Sequence, residues 1–145
     1  MNIFTQNEGK MAELVVDALV ENLNQVLAFT EEQLDLFGSS MKFAMKIQIA
    51  VEEIYVNIAH YAYGNETGKA SVLMEHLPDI SSVRITFKDS GTPYNPLAHE
   101  DPDITLEAEK RSIGGLGILM VKKTMDKVEY EFKDGQNCLT ITTTI

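Results

Sequence analysis

The segment from Ser39 to Gly64, SSMKFAMKIQIAVEEIYVNIAHYAYG, constrains the fold of this chain more than any other. Phe43, Ile47, Val51, Ile54, Ile58 and Ala62 recur at three- and four-residue steps, so one apolar stripe runs the whole length and predicts a helix from just after Ser39-Ser40 to about Ala62. Gly64 and Asn65 stop it. A shorter helix precedes it, read from Leu23, Val26, Leu27, Thr30, Leu34 and Phe37, with Asn22 as its N-cap and Gly38 as its stop. A third is expected from Leu116 to about Met125. Between and after them lie alternating segments: Lys69 to Leu77 and Ser82 to Asp89 as a hairpin around a Pro-Asp turn, then Lys127 to Lys133 and Cys138 to Ile145 around Asp134-Gly135. Met11 to Val20 reads as a strand or a mixed segment, and the first ten residues as a loosely ordered polar lead. This order implies an α+β two-layer sandwich, with helices on one face of a mixed, mainly antiparallel sheet and the other face open to partners.

At 145 residues with 44% apolar composition, the chain is expected to be a single domain with a full core, needing neither metal nor disulfide. Its 12 Lys plus Arg against 22 Asp plus Glu give a net charge of −10, which argues against nucleic acid and anionic membrane surfaces as partners. No signal-peptide core and no bilayer-length apolar run is present, so a cytosolic protein is expected. Cys138 reads as a packing residue, and His60, His76 and His99 lack the spacing of a metal site.

Three segments carry possible chemistry. On the long helix, with a step of roughly 100° per residue, Lys46, Glu53, Asn57 and His60 flank the buried stripe at roughly 80° to 140° from Ile47. Glu53 and Asn57, one turn apart, point the same way; a carboxamide oxygen suits Mg²⁺, and a carboxylate beside it suits a general base. A solvated helix edge has the same appearance. Asp89 closes a strand and opens DSGTPYNP, where its carboxylate either caps turn amides or accepts from an exocyclic amine such as adenine's, with Gly91 allowing close approach. Ser112 to Gly117, SIGGLG, precedes the third helix, where exposed N–H groups favour phosphate and Lys110 and Arg111 lie just upstream; a flexible loop is the plainer reading. This is neither a Walker A loop nor a Rossmann glycine motif. The segment between Ser90 and Ser112 is long, carries three prolines and has no period, which is the mark of a functional loop such as a lid.

Taken in order, Glu53-Ile54-Tyr55-Val56-Asn57, Asp89-Ser90-Gly91 and Gly114-Gly115-Leu116-Gly117 resemble the ATPase/kinase superfamily of the gyrase, histidine-kinase and MutL type, with its Bergerat ATP-binding fold. The small size, DSGTPYNP and GGLGILMVKKTMD resemble the anti-sigma factor serine/threonine kinases in particular, over roughly Asn22 to the C-terminus. The resemblance implies ATP and Mg²⁺ as cofactors, Asn57 as the Mg²⁺ ligand, Glu53 as catalytic base and Asp89 as the adenine anchor. It further implies Gly91 as room for the base, Gly114, Gly115 and Gly117 around the phosphates, Thr140 near the adenine and Arg111 at the γ-phosphate. It also implies a phospho-accepting anti-sigma factor antagonist as partner, a sigma factor as a second one, and a homodimer. The chain departs from the family in Tyr61-Ala62-Tyr63, where relatives carry His-Ala-Tyr, and in an acidic lid between Asn95 and Ile113. A nucleotide-gated binding module without phosphotransfer is the competing expectation. A histidine-kinase catalytic domain fits less well, because no helical hairpin with a phospho-accepting histidine precedes the segment.

Overall fold

The computed structural model describes residues 2–6, 11–98 and 115–145. Nine elements are arranged as β1 (Asn2–Gln6), β2 (Met11–Asp17), α1 (Leu23–Leu36), α2 (Met41–Tyr61), β3 (Lys69–Leu77), β4 (Ser82–Asp89), α3 (Gly115–Thr124), β5 (Lys127–Lys133) and β6 (Gln136–Thr144), with short 3-10 turns between some of them. The six strands form one sheet in the order β1-β2-β3-β4-β6-β5, and every neighbouring pair is antiparallel. The expected sandwich is therefore present, with a fully antiparallel sheet. The N-terminal lead corrects the sequence reading: Asn2–Gln6 pairs with β2, Asn2 opposite Val15 and Gln6 opposite Met11.

Strand parity decides which residues meet the helices. In β4, Val83, Ile85, Phe87 and Asp89 are buried while Arg84, Thr86 and Lys88 are only partly so; in β6, Leu139 and Ile141 share the buried face with Asn137. Against this face α2 lays Ile47, Ala50, Val51, Ile54 and Tyr55, and α3 adds Val121, followed by Met125 just past its end. Ser40 begins α2 by accepting a hydrogen bond from Phe43 N–H at 3.3 Å. Asn22 stands before α1 as expected, but its side chain donates to the Asp17 carbonyl at 2.8 Å, so it ties the helix to β2 and caps nothing.

Tyr55 is the polar anchor of α2. It is completely buried, and its hydroxyl lies 2.7 Å from the Leu19 carbonyl and 3.1 Å from that of Asp17. Burial pushes this phenol above its usual value of 10.0; the hydrogen bond to Leu19 opposes the shift and the charge of Asp17 adds to it. Cys138 is the packing residue its sequence context suggests: buried, unpaired, with a thiol that desolvation pushes up. Asp134 and Gly135 adopt φ of 55° and 77°, the backbone of a tight two-residue hairpin turn joining β5 to β6.

Candidate nucleotide site

Glu53 and Asn57 stand on the flank of α2, both partly buried, as the helical projection requires. The neighbour of Glu53 is the first turn of α3. A Cβ added at Gly117 would stand 2.6 Å from the Glu53 Cδ and overlap its Oε2, so only glycine lets this turn meet the carboxylate so closely. That contact joins two of the three sequence segments.

The third segment lies at the far end of α2. Asp89 is buried at the end of β4, and its Oδ1 accepts from Gly91 N–H at 3.0 Å and from Asn137 Nδ2 at 2.9 Å. Oδ2 has no hydrogen-bond partner among the described residues. Gly91 is pressed on the C-terminal end of α2: a Cβ there would stand 2.6 Å from the Ala62 carbonyl carbon and 2.8 Å from its Cβ, while Thr92 N–H donates to the Ala62 carbonyl at 3.0 Å. Tyr63 locks the same corner, donating its hydroxyl to the Lys69 carbonyl and accepting from Ser90 N–H at 2.7 Å. The turn that carries Asp89 is therefore built directly on the helix that carries Glu53 and Asn57.

Asn137 completes this corner and was not singled out by the sequence. It sits opposite Asp89 in the β4–β6 register, and its amide donates to Asp89 Oδ1 and to the Thr92 carbonyl, the latter at 3.0 Å. Its Oδ1 accepts from Tyr94 N–H at 3.0 Å and from the Tyr130 hydroxyl. The signal was parity: one residue before Cys138, Asn137 falls on the face of Leu139 and Ile141, where a polar side chain needs partners. Thr140 does not join the site. Its hydroxyl lies 3.4 Å from that of Thr86, and both belong to the helix-free face of the sheet. There they line a cavity of about 350 Å³ together with Arg84, Lys88, Glu129 and Gln136. A one-residue difference in parity separates Thr140 from the face that holds Asp89.

Of the remaining expectations, Gly115 opens α3, while Arg111, Gly114 and the acidic lid lie outside the described residues. The residues present suit a Mg-nucleotide. Asp89 offers an unused acceptor oxygen beside a glycine, and the first turn of α3 has no side chain at Gly117 to obstruct phosphate. Glu53 stands at the second of these ends, and Asn57 lies one helical turn from it toward the first.

A family model described as the histidine kinase-like ATPase domain matches residues 16–143. Among curated proteins, the chain is 28% identical over 103 residues to the serine-protein kinase RsbW of Listeria monocytogenes, covering 68% of this chain and 64% of that protein. RsbW of Listeria innocua is 28% identical over the same length and shares. The chain thus spans just under two thirds of these relatives. Among solved structures, it resembles one of the RsbU and RsbW domains of a Mycobacterium tuberculosis protein, with a TM-score of 0.64 and 18% identity over 91% of this chain and 32% of that one, which is a likeness of fold. With the match spanning nearly its whole length, the chain belongs to the histidine kinase-like ATPase domain family.

Proposed function

We propose that the chain is an ATP-dependent protein serine/threonine kinase of the anti-sigma-factor type, acting on a small antagonist protein. The observation that supports this reading is the meeting of Glu53 with the first turn of α3, at the opposite end of α2 from the turn that bears Asp89. Asp89 Oδ2 accepts from the adenine amine, Gly91 admits the ring edge, and the N-terminal turn of α3, from Gly115 through Gly117, receives the phosphates. Asn57 holds the Mg²⁺, which draws charge from the phosphate oxygens when bound. Glu53 takes the proton of the acceptor hydroxyl as its oxygen bonds to the γ-phosphorus; the bond from that phosphorus to the bridging oxygen breaks, and ADP leaves. Arg111 stabilises the γ-phosphoryl charge in the same reading. The likeness to a serine-protein kinase, RsbW, supports a protein serine as the acceptor. A homodimeric, cytoplasmic regulator of a sigma factor that binds no nucleic acid belongs to the same proposal. Among the described residues no helix is long and apolar enough to cross a membrane.

The test is to incubate the protein with Mg²⁺ and γ-labelled ATP in a lysate of its host and to identify the labelled protein and residue. A labelled Ser or Thr on a small protein, lost in Glu53→Ala while ATP binding persists, is the expected result. Transfer that survives Glu53→Ala excludes that residue as the base. A second reading, a nucleotide-gated binding module without phosphotransfer, draws on α2 itself: Met41, Met45 and Ile49 recur every four residues and are 80%, 62% and 63% exposed, an apolar stripe that a protein partner would cover. ATP binding without any labelled acceptor favours that reading.

A further inference from the structure

We infer that Asn137 is a positioning residue for purine selection: it fixes the Asp89 carboxylate so that one oxygen alone is presented to the base, and thereby makes the site read a purine amine. The inference rests on the nucleotide-binding part of the proposed function and is independent of phosphotransfer. Its basis is a count of hydrogen bonds. Asn137 has two N–H donors and one carbonyl oxygen with room for two bonds, and all four places are taken within the protein. The orientation of the amide is forced, since the Thr92 carbonyl can only accept and the Tyr94 N–H can only donate. Nδ2 must therefore face Asp89, and a donor there occupies Oδ1.

Asp89 Oδ1 then carries two donors, Gly91 N–H at 3.0 Å and Asn137 Nδ2 at 2.9 Å, and cannot turn toward a ligand without breaking both. Oδ2 remains as a lone acceptor. A purine that presents an amine satisfies it, whereas one that presents a carbonyl oxygen sets two acceptors against each other. Because the same amide reaches Thr92 and Tyr94 and takes the Tyr130 hydroxyl, Asn137 also holds the loop after Gly91 to the β5–β6 hairpin. Asp89 supplies the contact, and Asn137 supplies its direction.

The experiment measures affinity by titration calorimetry, with Mg²⁺, for ATP, for purine riboside triphosphate, which lacks the amine, and for GTP. The native protein, Asn137→Ala and Tyr130→Phe are compared, each with a thermal melt. The native protein is expected to prefer ATP over the amine-free analogue by at least about tenfold, the size of one charge-assisted hydrogen bond. In Asn137→Ala that ratio falls to within about threefold of unity, chiefly through loss of ATP affinity, since the freed carboxylate no longer pays attention to one partner direction. Tyr130→Phe, which removes only the hydroxyl bonded to Asn137 Oδ1, lowers the ratio part of the way and serves as the deciding variant if Asn137→Ala does not fold. A merely structural Asn137 would weaken both nucleotides equally, and an unchanged ratio in the variants overturns the inference. So does a native protein that binds the two nucleotides alike. A native preference for ATP without any labelled acceptor protein would sink the kinase reading and leave this one standing.

Discussion

The contact between Gly117 and Glu53 predicts that a single substitution, Gly117→Ala, lowers activity while leaving stability nearly unchanged. A new methyl at this position overlaps Glu53 Oε2 and stands 2.6 Å from Cδ, so one of the two must move. The carboxylate is the free end of a flexible side chain, and rotating it off its preferred geometry costs about 0.5–1.5 kcal/mol. Alanine in a helix is favoured over glycine by up to about 1 kcal/mol, so the terms nearly cancel and the melting temperature should stay within about 3 °C of native. Activity has no such compensation. A general base is worth about 10²- to 10⁴-fold, and one turned away from the acceptor should cost phosphotransfer about 10²-fold. The assay reads transfer of γ-phosphoryl label to the acceptor and, separately, the Kd for ATP. A fall in kcat with Kd unchanged within about threefold is expected for a displaced base. Native transfer in a folded Gly117→Ala would refute the argument that this contact positions Glu53, and a fall confined to ATP affinity would show that the glycine serves the phosphates alone.

Two further substitutions probe the scaffold of the site. Gly91→Ala drives a Cβ into the backbone of Ala62, which cannot yield as a side chain does, and strains the Thr92–Ala62 hydrogen bond; a loss of about 2–4 kcal/mol, read from urea unfolding, is expected from overpacking plus one hydrogen bond. Tyr55→Phe strands the Leu19 carbonyl and should cost about 1–3 kcal/mol. It should also change the alkaline limb of stability. The folded state holds the Tyr55 proton more tightly than the unfolded chain, so above the unfolded value of 10.0 the unfolded state binds fewer protons and native stability falls as pH rises. Unfolding measured between pH 9 and pH 11 should show that part of the slope disappear in Tyr55→Phe, and an identical slope would contradict the burial assigned to this hydroxyl.

The elements with strong periods were legible in the sequence, because a buried stripe or a strict alternation leaves few alternatives. Lys69–Leu77, Ser82–Asp89 and Lys127–Lys133 lie where the alternation puts them, and the long helix begins at its Ser40 cap. Asn2–Gln6 was not legible, since its pairing with β2 is a tertiary fact and its five residues carry no period of their own. The same limit governs the site. Glu53, Asn57, Asp89 and Gly91 became candidates through local spacing together with the resemblance, while the place of Asn137 depends on which strand lies across from Asp89, and that of Thr140 on a parity that the resemblance did not fix. Local chemistry is readable along the chain; partners across a sheet are not.

What unites these residues is that α2 acts as a ruler. Glu53 and Ala62 lie nine positions apart, about 14 Å along a helix that rises roughly 1.5 Å per residue, comparable with the length of an extended nucleoside triphosphate. One end carries the turn bearing Asp89, fixed by Gly91 against Ala62; the other carries Glu53 against α3; Asn57 lies between, about 6 Å from Glu53 along the axis. In the proposed reading, the order Asp89, Asn57, Glu53 follows the order of groups along a Mg-nucleotide: purine, metal-bound phosphates, acceptor. Because the helix is held by a fully buried Tyr55 and an apolar stripe, neither end can shift relative to the other without unpacking the core. Substitutions at the two ends should therefore act separately: Asn137→Ala on the choice of purine, Gly117→Ala on transfer, and the double variant on both, with effects that add within about 0.5 kcal/mol. Strong coupling between them would mean that α2 bends between its two ends, and the ruler would be the wrong description.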